Sequence, residues 1–132
     1  MQEKKKILLI DDEKNFCFFV KKNLEATGEF VVLYATDPRK GIKIAREKTV
    51  DLILLDINMP KQDGFQVLEI LKKNNSKALS IPVVMLTAVE DNESKIKASE
   101  LFNEDYITKP VSYEKLRTKI DTVLQRRSAG IR

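Results

Sequence analysis

The chain has 132 residues, a formal net charge of +4, a single cysteine and no histidine. This length suits one domain, and the lone cysteine excludes a disulfide framework. The lack of histidine excludes His-based catalytic triads, HExxH zinc sites and a role as a phosphohistidine carrier. No apolar stretch is long enough to cross a membrane or to form a signal peptide, so we expect a cytoplasmic protein that does not insert in membranes.

Basic residues concentrate near the C-terminus, where residues 109–132 hold seven Lys or Arg and two Asp or Glu. Such clustering is typical of a solvated helix face, although it also occurs where acidic partners or nucleic acids bind. No recognition helix or aromatic stacking motif accompanies the cluster. We therefore expect no direct nucleic-acid binding by this domain.

The hydrophobic pattern predicts five units of a strand followed by a helix. In the first unit, the apolar run Ile7–Ile10 is a buried strand, and Gly28 ends the helix that follows it. The apolar positions of this helix, all assigned to the core, are Phe16, Phe19, Val20 and Leu24. Cys17 is interpreted as a small helix residue.

The later units have clear boundaries in the sequence. The remaining predicted strands cover residues 30–35, 51–56, 81–87 and 106–108. Asp37, Asp91 and Ser112 are predicted helix caps, and Asp63-Gly64 is a turn. The remaining predicted helices run to about Lys48, from Phe65 to about Asn75, to about Phe102 and to about Arg127.

Alternating strands and helices predict an α/β fold with a flavodoxin-like, doubly wound parallel sheet of order 2-1-3-4-5 and five helices. The switch point of that order lies between the first and third strands, where Asp11, Asp12 and Asp56 fall. Each close pair of these charges costs about 3–4 kcal/mol at an effective dielectric of about 20, so a positive group must lie among them. The alternative for Asp11 and Asp12 is helix capping.

Five sequence pieces then resemble one family, the receiver domains of two-component response regulators. The pieces are Asp11-Asp12, the run Leu54 to Pro60, Asp63-Gly64, Thr87-Ala88 and the run Tyr106 to Pro110. The resemblance covers residues 5 to about 127. We therefore expect a receiver domain over residues 1–127 and a short tail over residues 128–132.

The resemblance implies that Asp56 is a nucleophile that takes a phosphoryl group from a histidine of a sensor histidine kinase or a histidine phosphotransfer protein. It also implies Mg²⁺ as cofactor, bound directly by Asp12 and Asp56, through water by Asp11, and by the backbone carbonyl of Asn58. The phosphorylated domain would control a downstream protein or an effector domain. It would catalyse only its own phosphorylation and dephosphorylation and would not be an enzyme in the usual sense.

The remaining roles fall on three residues near the ends of the last two strands. The resemblance implies that Lys109 and Thr87 bind phosphate oxygens, that Tyr106 is a switch aromatic, and that the Lys109-Pro110 peptide bond is cis. The alternative interpretations are a surface lysine for Lys109, an ordinary strand-end threonine for Thr87 and a half-buried strand tyrosine for Tyr106.

The chain departs from the family pattern at two places. Family members usually carry Gly-Ala before the acidic pair that precedes Tyr106, whereas this chain has Phe102-Asn103, so we expect Asn103 to take the left-handed cap of the fourth helix. Gly41 stands where alanine is usual in the second helix, at an expected cost of about 1 kcal/mol.

The family's winged-helix branch forms active dimers through cross-subunit ion pairs, and the pattern of charges here matches them only in part. Asp105 with Lys119 and Glu104 with Arg126 have favourable signs. The third pair sets Lys95 against Lys115, and two-fold symmetry repeats that like-charge contact. We therefore expect a monomer, or at most a weak dimer, when phosphorylated.

Two rival functions stay open. A haloacid-dehalogenase-like phosphatase would need an acid two residues past the nucleophile, where this chain has Asn58. A degenerate receiver would be a protein-binding module that works without phosphorylation. The sequence does not decide whether the receiver stands alone or is part of a longer regulator or hybrid kinase.

Overall fold

A computed structural model of the chain describes residues 3–60, 62–73, 80–88 and 105–128. Within these residues, five strands form one parallel sheet: β1 (Lys5–Ile10), β2 (Phe30–Ala35), β3 (Leu52–Asp56), β4 (Val83–Ala88) and β5 (Asp105–Lys109). Their order in the sheet is β2-β1-β3-β4-β5. The predicted α/β fold and its 2-1-3-4-5 order are confirmed, with strand bounds within two residues of those predicted.

The described part of the chain contains four helices: α1 (Lys14–Ala26), α2 (Pro38–Glu47), α3 (Gly64–Leu71) and α4 (Tyr113–Ser128). The additional helix predicted from Asp91 to about Phe102, with its cap at Asn103, lies outside the described residues. None of the four helices is long and apolar enough to cross a bilayer.

The helices cover the two faces of the sheet in pairs, and each face has its own hydrophobic core. On one face, residues of α2 and α3 such as Ile42 and Leu68 pack on Leu8, Ile53 and Met85. On the other face, α1 and α4 pack on the alternate residues of the same strands, for example Leu9, Leu54 and Leu86. Because every central strand is buried on both faces, its sequence is a continuous apolar run.

The ends of the helices are set by side-chain caps and by one glycine, most of them as predicted. The Asp37 side chain accepts a hydrogen bond from the Arg39 amide (2.9 Å), and Ser112 accepts one from the Lys115 amide (3.2 Å), so both predicted caps are present. Gly28 has a φ of 78° just beyond α1 and ends it as predicted. The third helix ends at Leu71, earlier than the predicted Asn75.

The prediction that Phe16 and Phe19 belong to the core was wrong for Phe19 and only partly right for Phe16. The buried residues of α1 are Cys17, Val20 and Leu24. Phe16 is half-buried and Phe19 is 36% exposed. Both rings lie beside the buried face of α1, because the helix is rotated so that Cys17 faces the sheet.

The structure also gives Gly41 a packing role. A Cβ atom at this position would lie 2.6 Å from Cδ1 and Cγ1 of Ile10, which is closer than such atoms normally approach. Glycine therefore lets α2 lie directly against β1. The low helix propensity of Gly41 comes together with this closer contact between helix and sheet.

Candidate functional site

The sheet brings three carboxylates together at its carboxyl edge. Asp11 and Asp12 follow β1, Asp56 ends β3, and the two strands are neighbours with Ile10 opposite Leu55. One carboxylate oxygen from each of the three acids lies within 4.8 Å of the other two. Asp11 and Asp56 are buried, whereas Asp12 is exposed. This juxtaposition follows from the strand order, because neighbouring parallel strands end at the same edge.

Lys109 supplies the positive charge that three clustered acids require. Its Nζ donates a hydrogen bond of 2.7 Å to Oδ2 of Asp11 and lies 3.9 Å from Oδ2 of Asp56. The residue ends β5, and the peptide bond that follows it to Pro110 is cis, as predicted. The lysine thus reaches the two buried acids from the far edge strand of the sheet.

Burial and like charges shift the ionisation of the site. Burial raises the pKa of Asp56 to about 7, the charge of Asp11 raises it as well, and Lys109 lowers it. For Lys109, burial disfavours the ammonium, but the bond to Asp11 and the charges of both acids outweigh that effect and raise the pKa. Asp56 therefore ionises far less readily than an ordinary aspartate, and a further cation would reverse that effect.

Asp11 is already engaged on both carboxylate oxygens. Oδ1 accepts a hydrogen bond from the Glu13 amide (2.9 Å), and Oδ2 accepts the one from Lys109. The Cys17 thiol, buried under the site, donates to the backbone carbonyl of Asp11 (3.3 Å). Burial raises the pKa of this thiol to about 12, so the thiol stays protonated. Cys17 is a buried residue of α1, which agrees with its interpretation as a small helix residue.

The sequence had also placed Asn58, Thr87 and Tyr106 at the site. The backbone N–H of Asn58 donates a hydrogen bond to Oδ1 of Asp56 (3.2 Å), and both residues line the same cleft. Thr87 is fully buried, and its hydroxyl makes one long contact of 3.5 Å to the Ala88 carbonyl. The cleft is lined by Ala88 and not by Thr87.

Tyr106 lies on β5 with its side chain 37% exposed. In the sheet it is opposite Met85, and Thr87 is two residues further along β4. Since side chains two residues apart on a strand point to the same face, Tyr106 and Thr87 share one face of the sheet. The structure thus places the two residues on the same face of neighbouring strands.

Gly64, which the sequence predicted only as part of a turn, packs closely against the backbone that carries Asp56. A Cβ atom here would lie 2.5 Å from the carbonyl oxygen of Asp56 and 2.7 Å from Cα of Ile57, both backbone atoms. Its amide donates to the Ile57 carbonyl (2.8 Å). The start of α3 therefore rests directly on the backbone that carries Asp56.

The capping box at this helix start had a signal in the sequence that was overlooked. The Asp63 side chain accepts a hydrogen bond from the backbone N–H of Gln66 (2.9 Å). The Gln66 side-chain oxygen accepts one from the backbone N–H of Asp63 (3.1 Å). An acid followed three residues later by glutamine is the pattern of this motif. The box fixes the helix start that supports Asp56.

Phe16 is a second residue that sequence reasoning missed at the site. Its ring centroid lies 4.5 Å from Nζ of Lys109. Phe16 and Phe19 both line a cleft of about 600 Å³ that also contains Asp12, Asp56, Lys109 and Pro110. Nothing in the local sequence signals this contact, because it forms only where α1 and the end of β5 meet.

Most of the described basic residues of α4 are held in bonds within the chain. Arg117 pairs with Glu29 (2.8 Å) and Asp121 (3.0 Å). Asp105 pairs with Arg126 (3.0 Å) and Lys119 (3.6 Å). Two of these residues join α4 to other parts of the chain, Arg117 through Glu29 and Arg126 through Asp105.

The fold is a doubly wound parallel sheet of the flavodoxin-like class. Its switch point holds three acids, two of them buried, and a lysine from the last strand, which is the arrangement expected of a receiver domain. Residues 7–121 match the family model described as "Response regulator receiver domain", and the chain belongs to this family. It is a domain of two-component signal transduction.

Individual relatives agree with this assignment. The chain is 36% identical over 122 residues to the alkaline phosphatase synthesis transcriptional regulatory protein PhoP of Bacillus subtilis (92% of this chain, 49% of the relative). It is 38% identical over 121 residues to the DNA-binding dual master transcriptional regulator RpaA of Synechocystis (92% and 49%). A CheY-like receiver domain protein from Methanospirillum hungatei has a similar structure, with a TM-score of 0.85, 27% identity and coverage of 97% and 99%. The chain thus spans about half the length of these two curated relatives.

Proposed function

We propose that this receiver accepts a phosphoryl group on Asp56 from a phosphohistidine of a sensor histidine kinase or a histidine phosphotransfer protein. The observation that carries the proposal is the cluster of Asp11, Asp12 and Asp56 with Lys109 at the switch point of the sheet. A carboxylate nucleophile beside a lysine and two further acids suits phosphoryl transfer, which depends on positioning and on neutralising charge.

The donor set at the site fits Mg²⁺, which prefers oxygen ligands and keeps several waters. Asp12 and Asp56 would bind the ion directly, together with the backbone carbonyl of Asn58. Asp11 would act through water, since both of its oxygens already accept hydrogen bonds. When bound, the ion would neutralise the acids and accept a phosphate oxygen.

In the proposed step, a carboxylate oxygen of Asp56 forms a bond to phosphorus while the P–N bond of the phosphohistidine breaks. The imidazole leaves with the electron pair of that bond and takes up a proton from solvent. The Asn58 amide holds Oδ1 of Asp56 in place. Lys109, 3.9 Å from Oδ2, has a short distance to move to reach a phosphate oxygen.

The readout of phosphorylation would pass through Thr87 and Tyr106. Within the described part of the chain the Thr87 hydroxyl makes one long contact, so a phosphate oxygen would be a better partner for it. Tyr106 lies on the same face and is partly exposed, so it can follow a movement of Thr87 inward. The surface around Tyr106 would then differ between the two states.

The partner for the output is proposed to be a downstream protein or an effector domain. The matched relatives named above are transcriptional regulators about twice as long as this chain. We take residues 1–127 as the receiver and 128–132 as a tail, with a cytoplasmic location and no direct contact of this domain with nucleic acid.

The phosphorylated domain is proposed to be a monomer or a weak dimer. Asp105, which would form cross-subunit pairs in the winged-helix branch, already bonds Arg126 and Lys119 of its own chain. A symmetric dimer would have to exchange these pairs, and exposed ion pairs contribute only about 0–1 kcal/mol. Glu104 and Lys95, the other residues of the expected pattern, lie outside the described residues.

Intact-mass measurement after incubation with a small-molecule acyl phosphate tests the proposed function. With Mg²⁺ present, the wild-type protein should gain one phosphate, and the Asp56→Asn variant should gain none. A chelator should abolish labelling of the wild type. An unlabelled wild type under these conditions would instead favour the alternative, a degenerate receiver that binds partners without phosphorylation.

A further inference from the structure

The ring of Phe16 contacts the lysine of the site at close range. The Lys109 ammonium lies 4.5 Å from the ring centroid, 2.7 Å from Asp11 and 3.9 Å from Asp56. It is therefore held between two carboxylates and one aromatic face. The face of an aromatic ring carries partial negative charge and attracts a cation within about 6 Å.

We propose that Phe16 is a positioning residue for the phosphoryl-transfer reaction, because its ring holds the Lys109 ammonium beside Asp56. The inference rests on the proposed function and adds to it a residue for which neither the family match nor the sequence motifs provide a role. Phe16 is not expected to touch the phosphoryl group. It acts through Lys109.

The ring is itself held in place. Phe16 is half-buried on the first turn of α1 and packs against Phe19, with ring centroids 6.3 Å apart and an angle of 29° between the planes. The next residue, Cys17, is fully buried and bonds the carbonyl of Asp11. The position of the ring is thereby fixed relative to the end of β1, where the acids lie.

Lys109 needs such a restraint. Its side chain has a flexible four-carbon stem and is 22% exposed at the edge of the cleft. Without the ring, one side of the ammonium would face open solvent, and the stem could turn away from Asp56. In phosphoryl transfer, small losses of positioning slow the reaction strongly.

An aromatic face also suits this position better than a third acid would. A carboxylate would accept one of the three ammonium protons and would compete with the incoming phosphate oxygens for Lys109. The ring attracts the cation without taking a conventional hydrogen bond. It therefore leaves the donors of Lys109 available for Asp11 and for the phosphoryl group.

The test compares the rate of phosphorylation by a small-molecule acyl phosphate with Mg²⁺, followed by intact mass, in matched variants. Phe16→Leu keeps an apolar side chain but removes the ring, and Phe16→Tyr keeps the ring. Phe18→Leu is the control, because Phe18 lies on the same helix with 62% of its surface exposed. We expect Phe16→Leu to be about three- to tenfold slower, with the other two variants within about twofold of the wild type.

A double-mutant comparison separates positioning from a general structural effect. In a Lys109→Ala background, Phe16→Leu should cause no further slowing, because the cation that the ring holds is gone. If Phe16→Leu does not fold, Phe16→Met takes its place. Equal slowing by the substitution with and without Lys109 would overturn the inference.

The outcomes also distinguish this inference from the proposed function. If the wild type is labelled on Asp56, Lys109→Ala is slow, and Phe16→Leu reacts at the wild-type rate, then only the role of Phe16 is wrong. If the wild type is not labelled at all, the proposed function itself is wrong, and the role of Phe16 falls with it.

Discussion

Replacing Asp56 by asparagine should stabilise the protein when no divalent cation is present. One carboxylate oxygen of Asp56 lies within 4.8 Å of oxygens of both Asp11 and Asp12. Each of these contacts repels by about 3 kcal/mol or more at an effective dielectric of about 20. The attraction to Lys109 at 3.9 Å returns about 4 kcal/mol, so a net repulsion of about 3 kcal/mol remains.

The raised pKa of Asp56, caused mainly by burial and also by these same charges, corresponds to a similar magnitude. Its rise from 3.8 to about 7 corresponds to about 4 kcal/mol between the two protonation states. Asparagine keeps a side-chain oxygen that can accept the hydrogen bond from the backbone N–H of Asn58, so this bond survives the substitution. We therefore expect Asp56→Asn to raise the free energy of unfolding by about 2–4 kcal/mol at pH 8.

The gain should depend on pH in a defined direction. Because the folded protein holds the Asp56 proton more tightly than the unfolded chain does, the wild type loses stability as the pH rises from 3.8 towards about 7. Asparagine does not titrate. The difference between variant and wild type should therefore be small at pH 4, grow through pH 5, 6 and 7, and become constant above about pH 8.

Urea denaturation of both proteins in the presence of a chelator measures this difference, with Glu47→Gln as a control for removal of one exposed acid. Millimolar Mg²⁺ should then stabilise the wild type more than the variant, since the variant has lost one of the oxygens proposed to bind the ion. The electrostatic reasoning fails if Asp56→Asn is less stable than the wild type at pH 8 without divalent ions, or if Mg²⁺ stabilises both proteins equally.

Three further predictions concern the backbone support, the switch and the oligomeric state. Gly64→Ala should lower the free energy of unfolding by about 1–3 kcal/mol in urea, because its Cβ would lie 2.5 Å from the backbone carbonyl oxygen of Asp56. An unchanged free energy of unfolding would contradict this. Thr87→Ala should still be phosphorylated but should lose the change in amide NMR shifts around Tyr106, and a wild-type response in this variant would refute the switch. Analytical ultracentrifugation with a beryllofluoride phosphate mimic should show a monomer or a weak dimer, and a tight dimer formed only with the mimic would contradict the ion-pair argument.

The sheet and the acidic cluster were predictable because each depends on patterns that are local in the sequence. Continuous apolar runs such as Leu52–Leu55 identify buried parallel strands, and an acid directly after a run marks the end of the strand. The handedness of the crossovers then restricts the strand order, which brings the ends of β1 and β3 together. No contact between distant residues had to be known to place Asp11 and Asp56 at one edge.

The rim of the site was not predictable, because it depends on how elements are rotated and how closely they approach. Helical spacing marked Phe16 and Phe19 as apolar positions, but the side of the core stripe on which they fall depends on the rotation of α1. That rotation places Cys17 against the sheet and leaves the ring of Phe16 beside Lys109, a residue 93 positions away. Close approach likewise explains Gly41, whose role is visible only from its distance to Ile10.

The central claim is that Asp56 is the residue that carries the phosphoryl group. Borohydride reduction of the phosphorylated protein converts an aspartyl phosphate to homoserine, and peptide mass spectrometry then locates the modified residue. We expect homoserine at position 56 alone, only in samples treated with the phosphodonor and Mg²⁺. Homoserine at position 11 or 12, or a phosphate that resists reduction because it sits on a hydroxyl group, would contradict the assignment.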